Sequence, residues 1–307
     1  MLSFAPMSAQ PDITAARPVW GVIWMLITGL AFVAVTAIVK HIGGGVPAAE
    51  AAFIRYILGL VFLLPMIRPL LNAHLDKSDL MFFGARGLAH GLGVILWFYA
   101  MTRITIAEVT AMNYLSPVYV TIGAALFLGE RLALRRIMAI GAALLGAMII
   151  LRPGFRDLNL GHVAMLGTAI LFAASYLLAK RMADRVSPAV VVAMLSITVP
   201  VVLAPFAFAV WVTPTPDQLF WLFMVALFAT SGHFTMTLAF RAAPMTVTQP
   251  VTFLQLVWAT TLGAVVFGEP VDGWVVLGGL IILASVSFIT WREAVLKSRI
   301  KAPISIE

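Results

Sequence analysis

AEVTAMNYLSPVYVTIGAALFLGE, residues 107–130, is a long apolar run with a proline inside it and Gly-Glu at its end. PMTVTQPVTFLQLVWATTLGAVVFGE, residues 244–269, has the same plan. The run LFLGE ending at Glu130 recurs as VVFGE ending at Glu269, a shift of 139 positions. The repetition reaches far beyond these segments. Gly21, Met25, Leu26, Thr28, Phe32, Ala34 and Lys40 return 140 positions later as Gly161, Met165, Leu166, Thr168, Phe172, Ala174 and Lys180. A duplicated set of apolar segments points to a transporter, because two related halves can rock about a site between them.

Composition agrees. Hydrophobic residues make up 62% of the chain and charged residues 11%, and mean hydropathy is +1.03. A water-facing surface needs about 25% charged residues, so the surface here is built for lipid. The net charge of +7 does not signal nucleic acid. The basic residues fall in short clusters between apolar spans, as they do in loops retained on the cytoplasmic side. There are no cysteines, which excludes disulfides, thiolate metal sites and cysteine nucleophiles.

A bilayer core takes about 20 apolar residues as helix. Residues 18–39, 109–129, 158–179, 186–216, 218–240 and 242–268 carry no Asp, Glu, Lys or Arg, and 47–67, 80–102, 132–151 and 272–291 are apolar with charges inside or at the ends. The expectation is an all-α integral membrane protein of ten transmembrane helices. With the N-terminus in the cytoplasm, Arg17, Arg68, Lys77, Arg131, Arg135, Arg136, Lys180, Arg181, Arg185, Arg241, Arg292, Lys297, Arg299 and Lys301 fall on the inner side, and only Lys40, Arg103, Arg152 and Arg156 on the outer. That asymmetry places both termini in the cytoplasm. Five spans per half is odd, so the halves enter the membrane from opposite sides as inverted repeats. The expected organisation is a cytoplasmic tail at 1–17, a first repeat at 18–151, an outer linker RPGFRDLNL at 152–160, a second repeat at 161–291 and a tail at 292–307. The first span is not a cleaved signal peptide, since it has a counterpart at 161–180.

With AEVTAMNYLSPVYVTIGAALFLGE (107–130), RRIMAIGAALLGAMIILRPG (135–154), PMTVTQPVTFLQLVWATTLGAVVFGE (244–269) and the Tyr99-Ala100 pair, the chain resembles the drug/metabolite transporter superfamily, specifically its ten-span EamA branch. The resemblance covers nearly the whole chain. It implies two five-helix repeats around a central cavity and no ATP-hydrolysing domain. The sequence itself has no GxxxxGK[ST] phosphate loop.

Polar residues inside a membrane face a cavity or another helix. Arg86, His90, Gly93 and Trp97 share one face of the third span, and Thr230, His233, Thr237 and Arg241 one face of the eighth. Thr110, Asn113, Pro117 and Thr121 do so in the fourth, and Thr248, Thr252 and Gln255 in the ninth, with Trp258 one turn beyond. The first and sixth spans add Thr28, Phe32, Thr168, Phe172, Ser175 and Tyr176. His90, Trp97, Asn113, Tyr114, Tyr176, His233, Gln249, Thr252, Gln255 and Trp258 are therefore the expected substrate-contacting residues. The charges Arg55 and Arg86 must pair, snorkel or face water. Glu108 is the expected partner of Arg55 or Arg103. Glu130 and Glu269 are expected to shape helix ends. Pro117 and Pro250 each remove a backbone hydrogen bond and are the expected hinges. Gly141, Gly146, Gly278 and Gly279 mark the fifth and tenth spans as scaffold or homodimer-contact helices.

The function expected is a secondary carrier of a small organic metabolite in the cell inner membrane. Lipid and the substrate are its expected partners, with no cofactor and no metal; His90 and His233 lack a third ligand at recognisable spacing. No HExxH, no GxSxG and no Asp pair inside the spans supports an enzyme. Aromatic rings, amides, two histidines and few acids suit a neutral or anionic flat polar ring better than a polycation. The superfamily that the chain resembles includes riboflavin carriers, amino-acid exporters and carriers of nucleotide-like metabolites. Riboflavin uptake is the specific expectation, and export of amino acids or related metabolites the alternative.

Overall fold

The computed structural model describes residues 18–127, 133–155, 157–183, 185–243, 245–248 and 250–301. The regular elements among them are all helical. In chain order they are α1 (Pro18–Ile42), α2 (Ala48–Gly59), α3 (Ile67–Leu71), α4 (Lys77–Met101), α5 (Ile106–Asn113), α6 (Leu115–Phe127), α7 (Leu134–Leu151), α8 (Leu160–Ala183), α9 (Pro188–Ala209), α10 (Pro216–Ala242), α11 (Met245–Thr248), α12 (Phe253–Phe267) and α13 (Gly273–Lys301), with 3₁₀ turns at Gly43–Gly45, Leu60–Met66 and Pro250–Thr252.

Local chemistry sets several of these boundaries. Capping boxes start α4 (Asp76 with Asp79), α5 (Thr105 with Glu108) and α10 (Thr215 with Gln218), each satisfying two backbone N–H groups that helix geometry leaves free. Gly268 closes α12 in the left-handed conformation, φ 64°, which costs glycine nothing. Pro117 has no N–H to offer the carbonyl four residues back, at Asn113, and the helix breaks there into α5 and α6. The second half breaks at the corresponding place, where the turn Pro250–Thr252 separates α11 from α12.

Among the described residues, eight stretches are long and apolar enough to cross a membrane: Val19–Gly45, Lys77–Met101, Ile106–Phe127, Leu134–Leu151, Leu160–Ala179, Ala189–Ala209, Pro216–Phe240 and Gly273–Arg292. The protein is a multi-pass membrane protein. The second and ninth segments expected from the sequence are not continuous helices. Leu60–Met66 tightens to 3₁₀ between α2 and α3, after Gly59 and around Pro65, residues that weaken an α-helical ladder. The ninth leaves α12, 15 residues long, as its main piece.

Three antiparallel helix pairs organise the bundle. Along α1 and α10, Gly21 lies against Ala243, the Thr28 and Thr235 hydroxyls meet at 2.8 Å, and His41 packs edge-on to Trp221. Along α4 and α8, Gly161 lies against Arg103, Thr168 Oγ1 donates to the Gly93 carbonyl at 3.3 Å, and Ser175 Oγ meets His90 Nδ1 at 3.3 Å. In α7 and α13, Gly146 and Gly278 bring the two backbones together. These glycines, which the sequence marks for a scaffold or a second copy, are thus consumed by a contact within one chain. The core between the pairs is filled by Val35, Phe98, Met112, Leu115, Ile150, Met165 and Leu256. On the outside, Phe127 is 81% and Val265 79% exposed, as suits side chains that meet lipid.

The α7–α13 contact makes a prediction. A Cβ on Gly278 would lie 2.5 Å from the Gly146 carbonyl oxygen, whereas one on Gly141 would meet nothing within 4 Å. Gly278→Ala should destabilise the purified protein by about 1–3 kcal/mol through overpacking. Gly141→Ala should be neutral or stabilise by up to about 1 kcal/mol through helix propensity. Thermal unfolding of both variants in one detergent is the check.

Candidate functional site

The three helix pairs and the broken helices leave a cavity of about 190 Å³ near the centre of the bundle. Its wall takes Thr28, Phe32 and Thr36 from α1, Arg55 from α2, His90 and Trp97 from α4, Thr110 and Asn113 from α5, Phe172 and Tyr176 from α8, His233, Met236 and Phe240 from α10, and Thr252 and Gln255 from the turn before α12 and its first residues. Both halves of the chain build it.

The wall has an aromatic side. Phe172 is its hub: His90 stacks on it with centroids 4.8 Å apart and planes at 23°, Trp97 meets it edge-on at 6.2 Å, and Tyr176 lies 6.3 Å away. Phe172 reaches this place because Gly93 on α4 carries no side chain; a Cβ there would stand 2.8 Å from the Phe172 ring. Across the cavity, His233 meets Phe32 edge-on at 5.1 Å. The wall also has hydrogen-bonding groups that the protein leaves unpaired. Trp97 Nε1 and Asn113 Oδ1 are both buried and have no partner among the described residues. A buried polar atom without a partner costs about 1–3 kcal/mol, so these two groups are suited to polar atoms that enter the cavity. The threonines differ, since Thr28 and Thr36 donate to carbonyls one turn back on their own helix, Trp24 and Phe32. Among the described residues no carboxylate stands in the wall, and Arg55 is its one guanidinium.

The sequence matches the model of the EamA-like transporter family twice, over residues 19–152 and 159–291. The chain belongs to the EamA-like transporter family. It is 29% identical to the riboflavin transporter of Vibrio cholerae serotype O1 over 90% of this chain and 95% of that one. A riboflavin transporter of Rhizobium johnstonii is 28% identical over 92% and 94%. The S-adenosylmethionine uptake transporter of Rickettsia prowazekii is 25% identical over 89% and 93%.

In this EamA-like chain, His90, Trp97, Asn113, Tyr176, His233, Thr252, Gln255 and Arg55 come together around one cavity. Two residues expected there, Tyr114 and Trp258, and the intramembrane charge Arg86 are placed elsewhere. Tyr114 caps the end of α5, and its hydroxyl donates to the Thr252 carbonyl at 2.9 Å. Trp258 lays its ring on Gly29 of α1. Arg86 donates from Nη1 to the Val191 carbonyl at 2.7 Å and ties α4 to α9. Gln249 and Glu130 lie outside the described residues. In α10 the cavity face runs His233, Met236, Phe240, at i, i+3 and i+7. Of the expected stripe Thr230, His233, Thr237 and Arg241, His233 lines the cavity, whereas Thr237 donates to the His233 carbonyl one turn back and Met236 and Phe240 continue the cavity face. Phe240 and Met236 carried no polar signal and were missed, as was Thr36.

The Glu108 pairing also differs from expectation. Glu108 accepts from the backbone and hydroxyl of Thr105 at 2.9 and 3.0 Å, and its other oxygen meets His162 Nε2 at 3.1 Å. It is the third residue of α5, and its side chain folds back on the helix start at Thr105. Nearby, Glu269 forms an ion pair with Lys40 and accepts from the Ile106 N–H at 2.9 Å, while Lys40 donates to the Ile104 carbonyl at 2.8 Å. These contacts join α1, the start of α5, the start of α8 and the end of α12 at one end of the bundle. They are bonds between the two halves.

The cavity assignment separates two kinds of tryptophan. Trp97→Ala and Gln255→Ala should each weaken ligand binding by about 1–3 kcal/mol, with membrane abundance near wild type. Trp258→Ala should lower thermal stability, by about 3–5 kcal/mol for a packed Trp. Ligand-binding isotherms and melting curves on the same three purified variants distinguish the two outcomes.

Proposed function

We propose that this protein is a secondary carrier that imports riboflavin, or a molecule with the same kind of flat polar ring, across the inner membrane of a bacterium by alternating access. The observation that carries the reading is the central cavity, whose wall combines Phe172, Trp97 and Tyr176 with unpaired polar groups in a chain of the EamA-like family. Aromatic faces suit a flat ring, and Trp97 Nε1 and the Asn113 amide suit its polar edge. The names of the Vibrio and Rhizobium relatives point the same way.

The architecture proposed for the carrier is ten spans in two inverted repeats, with both termini in the cytoplasm. The broken segments are long enough. Residues 48–71 reach roughly 40 Å and residues 245–267 roughly 35 Å, against a hydrocarbon core of about 30 Å. Helix pairing supports the repeat: exchanging the halves turns α1 against α10 into α8 against α4, which is the other observed pair. Helix direction supports the inversion, since α1 and α4 both run toward the Lys40 end and their counterparts α8 and α10 both start there. Basic residues favour placing that end outside.

At about 190 Å³ the cavity is smaller than the roughly 300–1,000 Å³ typical of drug-sized ligand sites. Admitting a tricyclic ring requires the helices to part. The breaks before Pro117 and at Pro250–Thr252 lie beside Asn113, Thr252 and Gln255, so half-helices that touch substrate are the ones free to tilt. Opening toward the outside would also break the Lys40–Glu269 and Glu108–His162 contacts.

Uptake of radiolabelled riboflavin by cells without their own carrier tests the reading. Saturable uptake by the wild type is expected, and a panel of amino acids and nucleosides alongside it identifies another substrate if riboflavin is not moved. Pro117→Ala and Pro250→Ala should lower the transport rate several-fold while changing affinity much less. Unchanged turnover in both variants would remove the hinges from the mechanism.

A further inference from the structure

Arg55 is the buried charge that faces the cavity, and among the described residues it has no counter-charge. It is 8% exposed and lines the cavity. Its guanidinium lies over the ring of Tyr56, 4.5 Å from the centroid. Among the described residues no carboxylate forms an ion pair with it. Three acids that reach into the bundle have other partners: one oxygen of Glu50 accepts from the Val212 N–H at 2.9 Å, Glu108 serves Thr105 and His162, and Glu269 serves Lys40 and Ile106. Arg86, the other guanidinium within a span, is committed to the Val191 carbonyl. An arginine keeps its charge in a protein, and a buried charge without a partner is costly. Tyr56 offsets that cost only in part.

Arg55 does not stand alone in the wall. Trp97 Nε1 is a second donor without a partner, and the Asn113 side chain offers an acceptor. Donors and an acceptor together complement a ring edge that alternates carbonyl, N–H and carbonyl, as an imide does. Phe172 and Tyr176 offer flanking aromatic surface. A second cation brought to about 6 Å from Arg55 in such a site would lose about 100-fold in affinity from repulsion alone.

We propose that Arg55 is the specificity-determining residue of the cavity, docking its guanidinium on the acceptor-bearing edge of a planar heterocycle and turning cationic ligands away. This rests on reading the cavity as the substrate site. It divides the molecules moved by the relatives: riboflavin offers an imide edge and no positive charge, whereas S-adenosylmethionine carries a sulfonium.

The test is equilibrium binding to the full chain in lipid nanodiscs, with three probes: riboflavin, its phosphate ester flavin mononucleotide, and S-adenosylmethionine. The wild type should bind both flavins and hold S-adenosylmethionine at least about 100-fold more weakly. A phosphate ester bound more tightly than riboflavin would place the phosphate on Arg55, and equal affinities would place the imide there. Arg55→Gln should lose about 10- to 100-fold in flavin affinity, the range for a hydrogen bond to a charged group, and Arg55→Lys should recover part of it. Wild-type flavin affinity in a monodisperse Arg55→Gln protein would overturn the proposal, as would S-adenosylmethionine binding as tightly as riboflavin, or no binding of any probe. If Arg55→Gln does not fold, the ranking of probes by the wild type decides. Selective binding without transport would instead contradict the carrier reading and leave the role of Arg55 in place.

Discussion

Hydrocarbon offers a polar group no partner, and this constraint arranges the rest of the structure. The hydroxyls of Thr28, Thr36, Thr121 and Thr168 return to carbonyls on their own helices. Glu50 takes a backbone N–H from the segment after α9, and Arg86 gives a proton to a carbonyl within it. The bonds of Glu50 and Arg86, which cross between elements, also fix one helix against another, so there satisfying polar groups and setting the fold are one process. Trp97 Nε1 and Asn113 Oδ1 in the cavity wall escape it, as do Arg86 Nε, Ser116 Oγ and one oxygen of Glu50 outside that wall. The unmatched groups that line the cavity are the ones an entering molecule can reach.

The same constraint restricts where the backbone can break. A helix interrupted within a bilayer exposes carbonyls that only protein or water can satisfy. The breaks after Asn113 and at Pro250–Thr252 both lie beside the cavity, and they fall at corresponding positions of the two halves. Each half thus carries one helix break beside the shared cavity. The Lys40–Glu269 and Glu108–His162 contacts join the two halves at one end of the bundle.

Much of this was legible in the sequence, and the reasons are specific. Runs free of charge gave the spans because lipid leaves no other option. Stripes at helical spacing found His90, Trp97, His233 and Gln255 because one helix face meets one environment. Tyr114 and Trp258 were misplaced because spacing gives a face but not the neighbour it meets: the Thr252 carbonyl and Gly29 are supplied by other elements. Glu108 with His162 joins residues 54 positions apart, and nothing local announces the pair. The apolar part of the wall, Met236 and Phe240, was invisible because in a chain 62% hydrophobic one more apolar residue carries no signal.

The central claim is that this one cavity is the water-accessible path of the substrate. The chain has no cysteines, so a single thiol can be introduced at any position and its reaction with a membrane-impermeant maleimide followed against a silent background. Thr110→Cys lies in the cavity wall, and Leu145→Cys stands on the exposed apolar face of α7. The account predicts that the first is labelled, that the substrate identified by uptake slows its labelling about tenfold or more by occupying the cavity, and that the second stays unreactive in the bilayer. Labelling at Leu145→Cys with none at Thr110→Cys, or labelling at Thr110→Cys that saturating substrate leaves unchanged, would contradict it.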